Sequence, residues 1–287
     1  MPSRSECKGG WYNCAMNCEV KERNNLKMPE ERFFRETGVV RYSLLDGTDI
    51  VGLSGNTWEE YLVLLGQVSP TDKFVVSPEL ITYAGKDFEN LSSDREEIGQ
   101  RIAQVIDFSL GYSETTFVLG TPLFLDQGRP RNSAVLIRNG KIIGETNKRS
   151  GATVEESKYF ELVAEEPPRL LPGTQTALLI CADLPTASLY ANCSERLLLE
   201  SLRLSNRKHL IGKKVELLPS SATSLLVIAC WGVGGQWVEP GKEDYYYGMQ
   251  LRNIAWNLMR GTKIKEVVVV DRSPNDTVKP FNSRVRL

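Results

Sequence analysis

Residues 177–185 read ALLICADLP, an apolar run that ends at a cysteine and continues into a loop-like segment with a proline. A short continuous apolar run is typical of a strand that is buried on both faces. Cys181 directly follows this run, so the change from strand to loop would present its side chain at a sheet edge, as in a nucleophile elbow. The alternative interpretation is a small hydrophobic residue that caps a core strand, because free cysteines are often buried.

Apolar runs of this kind alternate along the chain with segments of helical periodicity. The strand-like segments are 39–45, 74–76, 115–119, 177–180, 224–230 and 267–270, and the helical ones are 57–65, 88–110, 190–204 and 247–260. A hairpin is predicted between 133–137 and 141–144, where Asn139-Gly140 favours a type I′ turn. This alternation predicts an α/β fold in which helices cover one or two sheets.

Composition excludes several classes of protein. The 287 residues carry 35 basic and 36 acidic side chains, which leaves no broad positive field for nucleic acid or an anionic membrane. The longest apolar stretch, 222–235, is interrupted by polar residues and falls short of the roughly 20 residues that a membrane span requires. No stretch near the amino terminus resembles a secretory signal, so we expect a cytoplasmic protein with reduced thiols.

The amino-terminal segment differs from the rest of the chain. Residues 1–37 are polar and poorly patterned and predict an extension, whereas 38–287 predict a single domain. Cys7, Cys14 and Cys18 lie in this extension at spacings that are unusual for a zinc site, so neither a metal nor a cofactor is predicted.

Two charged residues occupy positions suited to acid–base chemistry. Glu79 emerges from the apolar strand 74–76, where partial burial would make its carboxylate a general base; the alternative is a solvated glutamate at a strand end. Lys148 follows the hairpin and, taken alone, is an ordinary exposed lysine.

The motifs around these residues resemble those of the nitrilase, or carbon-nitrogen hydrolase, superfamily. Glu79, Lys148 and Cys181 occur in the family's order, separated by 69 and 33 residues, and the similarity covers roughly 74–184. The matching segments are Ser77-Pro78-Glu79-Leu80 with Tyr83, 118–122, 132–137 with Asn139-Gly140-Lys141, Glu155 to Phe160, and 179–184. Departures follow the cysteine: Ala182 stands where the family usually has a larger or acidic residue, and Pro185-Thr186-Ala187 stands where it often has an arginine and a Pro-Glu pair.

The resemblance implies a fold, a chemistry and a set of site residues. The expected fold is an α-β-β-α sandwich with two mixed sheets covered by helices. Cys181 would form a thioester, Glu79 would act as the base, and Lys148, held by Glu156, would stabilise the oxyanion together with the backbone N–H of Ala182. Glu156 and Glu155 could instead form a solvated helix start.

The resemblance also implies partners and alternatives. Tyr83 and Trp231 are expected to contact the substrate, which would be a small linear amide, a nitrile or a carbamoyl compound, and the protein is expected to form a homodimer or larger homo-oligomer. An N-acyltransferase that uses the same thioester is the alternative within enzymes. A catalytically silent binding or scaffold protein is the alternative outside enzymes.

Overall fold

A computed structural model describes residues 34–125, 128–204, 207–213, 215–230, 243–272 and 281–286. The strands are β1 (Phe34–Glu36), β2 (Gly38–Ser43), β3 (Asp49–Ser54), β4 (Phe74–Val76), β5 (Thr116–Leu123), β6 (Arg131–Arg138), β7 (Lys141–Asn147), β8 (Thr176–Ile180), β9 (Ser224–Cys230), β10 (Glu266–Arg272) and β11 (Phe281–Arg286). The helices are α1 (Trp58–Leu65), α2 (Arg95–Ser109), α3 (Val154–Tyr159), α4 (Asp183–Asn192), α5 (Glu195–Leu204) and α6 (Glu243–Gly261). Short 3₁₀ turns cover Ile81–Tyr83, Phe88–Asn90 and Lys208–Leu210.

The strands form two mixed sheets. The first has the order β1-β11-β10-β9-β8, with β8, β9 and β10 parallel and β11 antiparallel to both of its neighbours. The second has the order β2-β3-β4-β5-β6-β7, with β3, β4 and β5 parallel and the hairpin β6–β7 at one edge. Asn139 and Gly140 have φ values of 47° and 72°, as a type I′ turn requires.

The two sheets pack face to face, and side-chain alternation along each strand divides their residues between two cores. Val76 on β4 and Val118 on β5 point into the core between the sheets, together with Leu178 and Val268 of the other sheet. Residues that neighbour these in the sequence of the second sheet's strands, such as Val75, point to the opposite face of that sheet and pack with α1 and α2. Burial on both faces explains why β4 and β8 are continuous apolar runs.

Helices cover both outer faces. Trp58 and Tyr61 of α1 and Val105 of α2 pack on the second sheet, while Leu251 and Leu258 of α6 belong to the core that includes the first sheet. The result is an α-β-β-α sandwich, as the resemblance of the motifs implies. Among the described residues, no helix is long and apolar enough to span a membrane.

Several parts of the chain depart from the sequence-based expectations, among them β3 and β11, which no predicted strand covers. The single helix expected over 190–204 is wrong, because α4 already begins at Asp183, and Cys193, with an extended backbone, separates it from α5. In addition, β1 lies within the segment 1–37 and pairs with β11. The rest of that segment, including Cys7, Cys14 and Cys18, lies outside the described residues, so the domain boundary stays a prediction.

Candidate active site

Glu79 lies just beyond the carboxyl end of β4, where the chain crosses towards the other sheet. Its backbone N–H donates to the Ala229 carbonyl on β9 at 3.3 Å, and its carbonyl accepts from Arg272 Nε at 2.8 Å. The side chain is 2% exposed, and its Oε2 accepts from the Cys230 N–H at 2.8 Å. Contacts with β9 and β10 therefore hold a glutamate of one sheet against the strand ends of the other.

Gly120 on β5 allows this close approach. The Ser77 hydroxyl accepts from the Gly120 N–H at 2.9 Å, and a Cβ built on Gly120 would lie 2.2 Å from the Pro78 carbonyl oxygen. The same Cβ would lie 2.8 Å from the Cα of Glu79. Only a residue without a side chain fits beneath the segment that carries Glu79.

Lys148, Glu156 and Asn132 complete a buried polar cluster around Glu79. Lys148 Nζ donates to Glu79 Oε1 at 2.7 Å and to Glu156 Oε1 at 2.5 Å. Asn132 Nδ2 donates to the same two oxygens at 2.7 and 2.9 Å. All four residues are at most 5% exposed. An ammonium group has three protons, so one donor of Lys148 remains for another partner.

Glu156 is positioned by the start of its own short helix. Thr153 precedes α3 and accepts from the Glu156 N–H at 3.0 Å, while Glu156 Oε2 accepts from the Ala152 N–H at 2.7 Å. This arrangement resembles a capping box, in which the third helical residue bonds back to the segment before the helix. One carboxylate oxygen of Glu156 thus accepts from the backbone before the helix, and the other accepts from Lys148. The solvated helix start considered from the sequence is wrong for Glu156.

Cys181 occupies a sharp turn between β8 and α4. Its φ is 42°, a left-handed conformation that is uncommon for a residue with a side chain. Its N–H donates to the Ile228 carbonyl at 2.8 Å, which extends the pairing of β8 with β9. The next residue, Ala182, is 1% exposed, and its N–H donates no hydrogen bond within the described part of the chain. A buried N–H without an acceptor is rare in proteins.

The polar cluster and burial together set the ionisation of the site. Burial alone would lower the pKa of Lys148, but the Glu156 and Glu79 carboxylates outweigh it and raise that pKa well above its usual range. Burial, and then Glu79, raise the pKa of the Cys181 thiol well above its usual range, while Lys148 acts in the opposite direction. Both shifts favour a charged Lys148 and a protonated Cys181 thiol.

Asp183 connects the lysine segment to the cysteine turn. Its Oδ1 accepts from the Ser150 N–H at 2.9 Å and from the Ser150 hydroxyl at 2.8 Å. Its Oδ2 lies 3.2 Å from Arg149 Nη1, and both residues of this ion pair are fully buried. Separating the two residues would leave uncompensated buried charges, which is costly. The ion pair therefore holds the segment after Lys148 against the turn at Cys181.

Tyr83 and Trp231 are the two residues whose side chains are predicted from the sequence to contact the substrate. Tyr83 is 1% exposed, packs with Leu80 and Phe160, and donates from its hydroxyl to the Asp87 carbonyl at 2.5 Å. Its described contacts thus tie it to an apolar cluster, and none of them reaches Cys181. Trp231 lies outside the described residues, so its role stays a prediction.

Sequence reasoning missed Asn132 as a member of the site, although the residue lies within a motif that carries the resemblance. Only its fold-dependent position between two carboxylates distinguishes it. A surface cavity of about 260 Å³ is lined by residues that include Phe124, Arg129 and Tyr159 and contains none of the four clustered residues or Cys181. This cavity is not the place where the predicted chemistry would occur.

The Cys230 thiol predicts a loss of stability in alkaline solution. Burial raises the pKa of Cys230 to about 12, against an ordinary value of 9.0, and Arg272 opposes this shift. A raised native pKa contributes stability that is complete below the unfolded pKa and is lost as the pH rises towards the native one.

Between about pH 9 and 12 the unfolded chain releases the Cys230 proton first, so the free energy of unfolding falls by up to about 1.4 kcal/mol per pH unit for this thiol. Urea titrations at several pH values should show a shallower decline for Cys230→Ala than for the wild type. Parallel declines would contradict the prediction.

Comparison with known proteins identifies the fold. No protein-family model matches the sequence, and no curated protein matches it. The NitN amidase from Nesterenkonia sp. AN1 superposes with a TM-score of 0.52 at 15% identity, over 80% of this chain and 80% of that chain. A variant of the Nesterenkonia AN1 amidase from the nitrilase superfamily superposes with a TM-score of 0.50 at 14% identity, over 78% and 72% of the two chains.

A further solved structure matches with a lower score. The glutamine-dependent NAD+ synthetase from Acinetobacter baumannii matches 75% of this chain with a TM-score of 0.47 and 18% identity. This chain spans 35% of the length of that synthetase. The sheet order, the helices on both faces and the two superposed amidases agree, and the chain therefore has the α-β-β-α sandwich fold of these amidases, as the resemblance of its motifs implies.

Proposed function

We propose that this protein is a carbon-nitrogen hydrolase that cleaves a small linear amide through a thioester on Cys181. The observation that carries the proposal is the buried cluster of Glu79, Lys148 and Glu156, which together with a strained turn at Cys181 places all three charges within electrostatic reach of the thiol. Backbone strain and buried charges are costly, and they persist mainly where function requires them. The amidases that share the fold support the same class of reaction.

In this mechanism Glu79 accepts the thiol proton as Cys181 attacks the carbonyl carbon of the amide. A base is required because the resting thiol is neutral. The tetrahedral oxyanion would accept from the free donor of Lys148 and from the unpaired N–H of Ala182, and one such donor is worth about 3 kcal/mol. Glu79 returns the proton to the leaving nitrogen, the carbon–nitrogen bond of the tetrahedral intermediate breaks, and ammonia departs, which leaves the thioester on Cys181.

Water then attacks the thioester, with Glu79 again accepting a proton, and releases a carboxylic acid and the Cys181 thiol. Glu156 and Asn132 hold Lys148 and Glu79 in place throughout. The same thioester would serve an N-acyltransferase if an amine replaced water. A homodimeric or larger assembly and a cytoplasmic location stay predictions from the sequence and its resemblance.

Ammonia release from a panel of short aliphatic amides and nitriles tests the proposal. We expect turnover by the wild type and none by Cys181→Ala or Glu79→Gln, since these remove the nucleophile and the base. Cys193→Ala and Glu114→Gln are matched controls, because Cys193 ends α4 and Glu114 is an exposed partner of Arg138. Turnover that survives in Cys181→Ala would exclude the thioester mechanism.

A further inference from the structure

The surface cavity of about 260 Å³ lies apart from the clustered residues of the candidate active site. Its walls come from the segment around the start of α2, the connection between β5 and β6, and the end of α3. The side chains that define its chemistry are Leu91, Arg95, Phe124, Arg129, Lys158 and Tyr159. Three of them are cations, and none of the described lining residues is acidic. A concave surface lined by charges of one sign concentrates their field, so the cavity attracts anions.

Arg129 is held by backbone carbonyl groups and not by a carboxylate. Its Nη1 donates to the Ser157 carbonyl at 2.7 Å and to the Lys158 carbonyl at 3.1 Å, both in the last turn of α3. It forms no ion pair within the part of the chain that the structure describes. A guanidinium carries five N–H donors, so Nε and Nη2 keep three of them for another partner.

Arg95 is positioned by an aromatic ring. Its guanidinium carbon lies 5.4 Å from the centre of the Phe124 ring, within the range of a cation–π interaction. Among the described residues it also has no carboxylate partner. Beside it, the Lys158 ammonium lies 4.8 Å from the centre of the Tyr159 ring. Two arginines are thus fixed by neutral groups, which leave their positive charge for a ligand.

One wall of the cavity is apolar. Leu91 is 2% exposed and belongs to a small hydrophobic cluster with Tyr83 and Phe160, on which Phe124 and Tyr159 pack. The volume of the cavity lies just below the roughly 300–1,000 Å³ of most small-molecule sites. The cavity therefore suits a small ligand in which a charged group is joined to a short apolar or aromatic part.

We propose that this cavity binds a small organic phosphate monoester. Such a phosphate carries a charge of about −1.5 to −2 near neutral pH and offers three oxygens, so it matches a group of cations better than a singly charged carboxylate does. The planar fork of an arginine pairs with two phosphate oxygens at once. The organic part of the ligand would lie against Leu91 and Phe124. This site is separate from the proposed amide hydrolysis and does not depend on it.

The end of α3 lies between the cavity and the candidate active site. Glu156, which accepts from Lys148, precedes Lys158 by two residues in the same short helix. A ligand that bridges Arg95 and Arg129 would restrain the last turn of α3, because Arg129 holds the carbonyl groups of that turn. Hydrogen exchange of the backbone N–H groups of residues 157–160 should therefore slow when the ligand binds.

Calorimetry with phenyl phosphate tests the proposal, with inorganic phosphate, phenol and benzoate as comparison ligands. We expect phenyl phosphate to bind at least about 10-fold more tightly than each of them, since each lacks either the phosphate or the ring. Arg95→Gln and Arg129→Gln should each weaken its binding by about 10-fold or more. Arg260→Gln, at an exposed arginine near the end of α6, is the matched control. Cys181→Ala should bind like the wild type, because the cavity does not contain Cys181.

Several outcomes would overturn the proposal. Absent binding of phenyl phosphate would do so, and equally tight binding of benzoate would assign the cavity to carboxylates instead. Binding that is weakened by Arg129→Gln but not by Arg95→Gln would reflect a disturbed end of α3 and not a lost ligand contact. Binding without slower hydrogen exchange at residues 157–160 would place the ligand elsewhere on the protein.

Discussion

Lys148→Met lowers the free energy of unfolding by about 3–5 kcal/mol, the usual cost of breaking a buried ion pair from one side. The methionine keeps the apolar stem but leaves Glu79 and Glu156 as two buried carboxylates that share only Asn132 and backbone donors. The two carboxylates accept from the same donors in the wild type and therefore lie close together. Without Lys148 their like charges repel each other strongly, because the site is poorly solvated. Urea denaturation of the wild type and the variant measures the difference.

Two further variants make this measurement specific. Lys141→Met changes an exposed lysine at the start of β7 and should alter stability by less than about 0.5 kcal/mol. Adding Glu156→Gln to Lys148→Met removes one of the two uncompensated charges, so the double variant should be more stable than the single one. A double variant that is less stable than Lys148→Met would show that the cost does not come from charge.

Gly120→Ala is expected to displace Glu79 and to affect both stability and catalysis. The added Cβ would meet backbone atoms of Pro78 and Glu79, which cannot rotate away as the end of a side chain can. Overpacking of this kind costs about 1–3 kcal/mol. A shift of about 1 Å in a catalytic group can cost about 100-fold in rate, so kcat for any amide that the protein hydrolyses should fall by this order.

Gly99→Ala is the matched control for this substitution. Gly99 lies within α2, and an added Cβ there would meet no atom within 4 Å. Alanine should therefore stabilise the helix by about 0.5–1 kcal/mol and leave kcat unchanged. If Gly120→Ala behaved like Gly99→Ala in urea denaturation and in ammonia release, the close approach of β5 to Glu79 would be irrelevant.

Much of the sandwich was predictable because its central strands are buried on both faces. The runs at 74–76 and 177–180 coincide with β4 and β8 apart from Thr176. In contrast, β11 was missed because Asn282 and Ser283 are polar although they are buried. Asn282 Nδ2 donates to the Ser54 hydroxyl of β3 at 3.0 Å, a contact between the two sheets that periodicity along one strand does not reveal.

The sequence by itself determined the α/β fold class and the central strands, because strand burial is a local pattern, and its short motifs led to the prediction that Glu79, Lys148 and Cys181 are site residues. Only the tertiary structure decided that Asn132 lies between the two carboxylates and that Arg272 lies beside Cys230. These residues are far apart along the chain, and sheet order and the packing of one sheet on the other bring them together. Local burial patterns specify which strands form, whereas the sharing of a site by polar residues depends on how those strands are arranged in space.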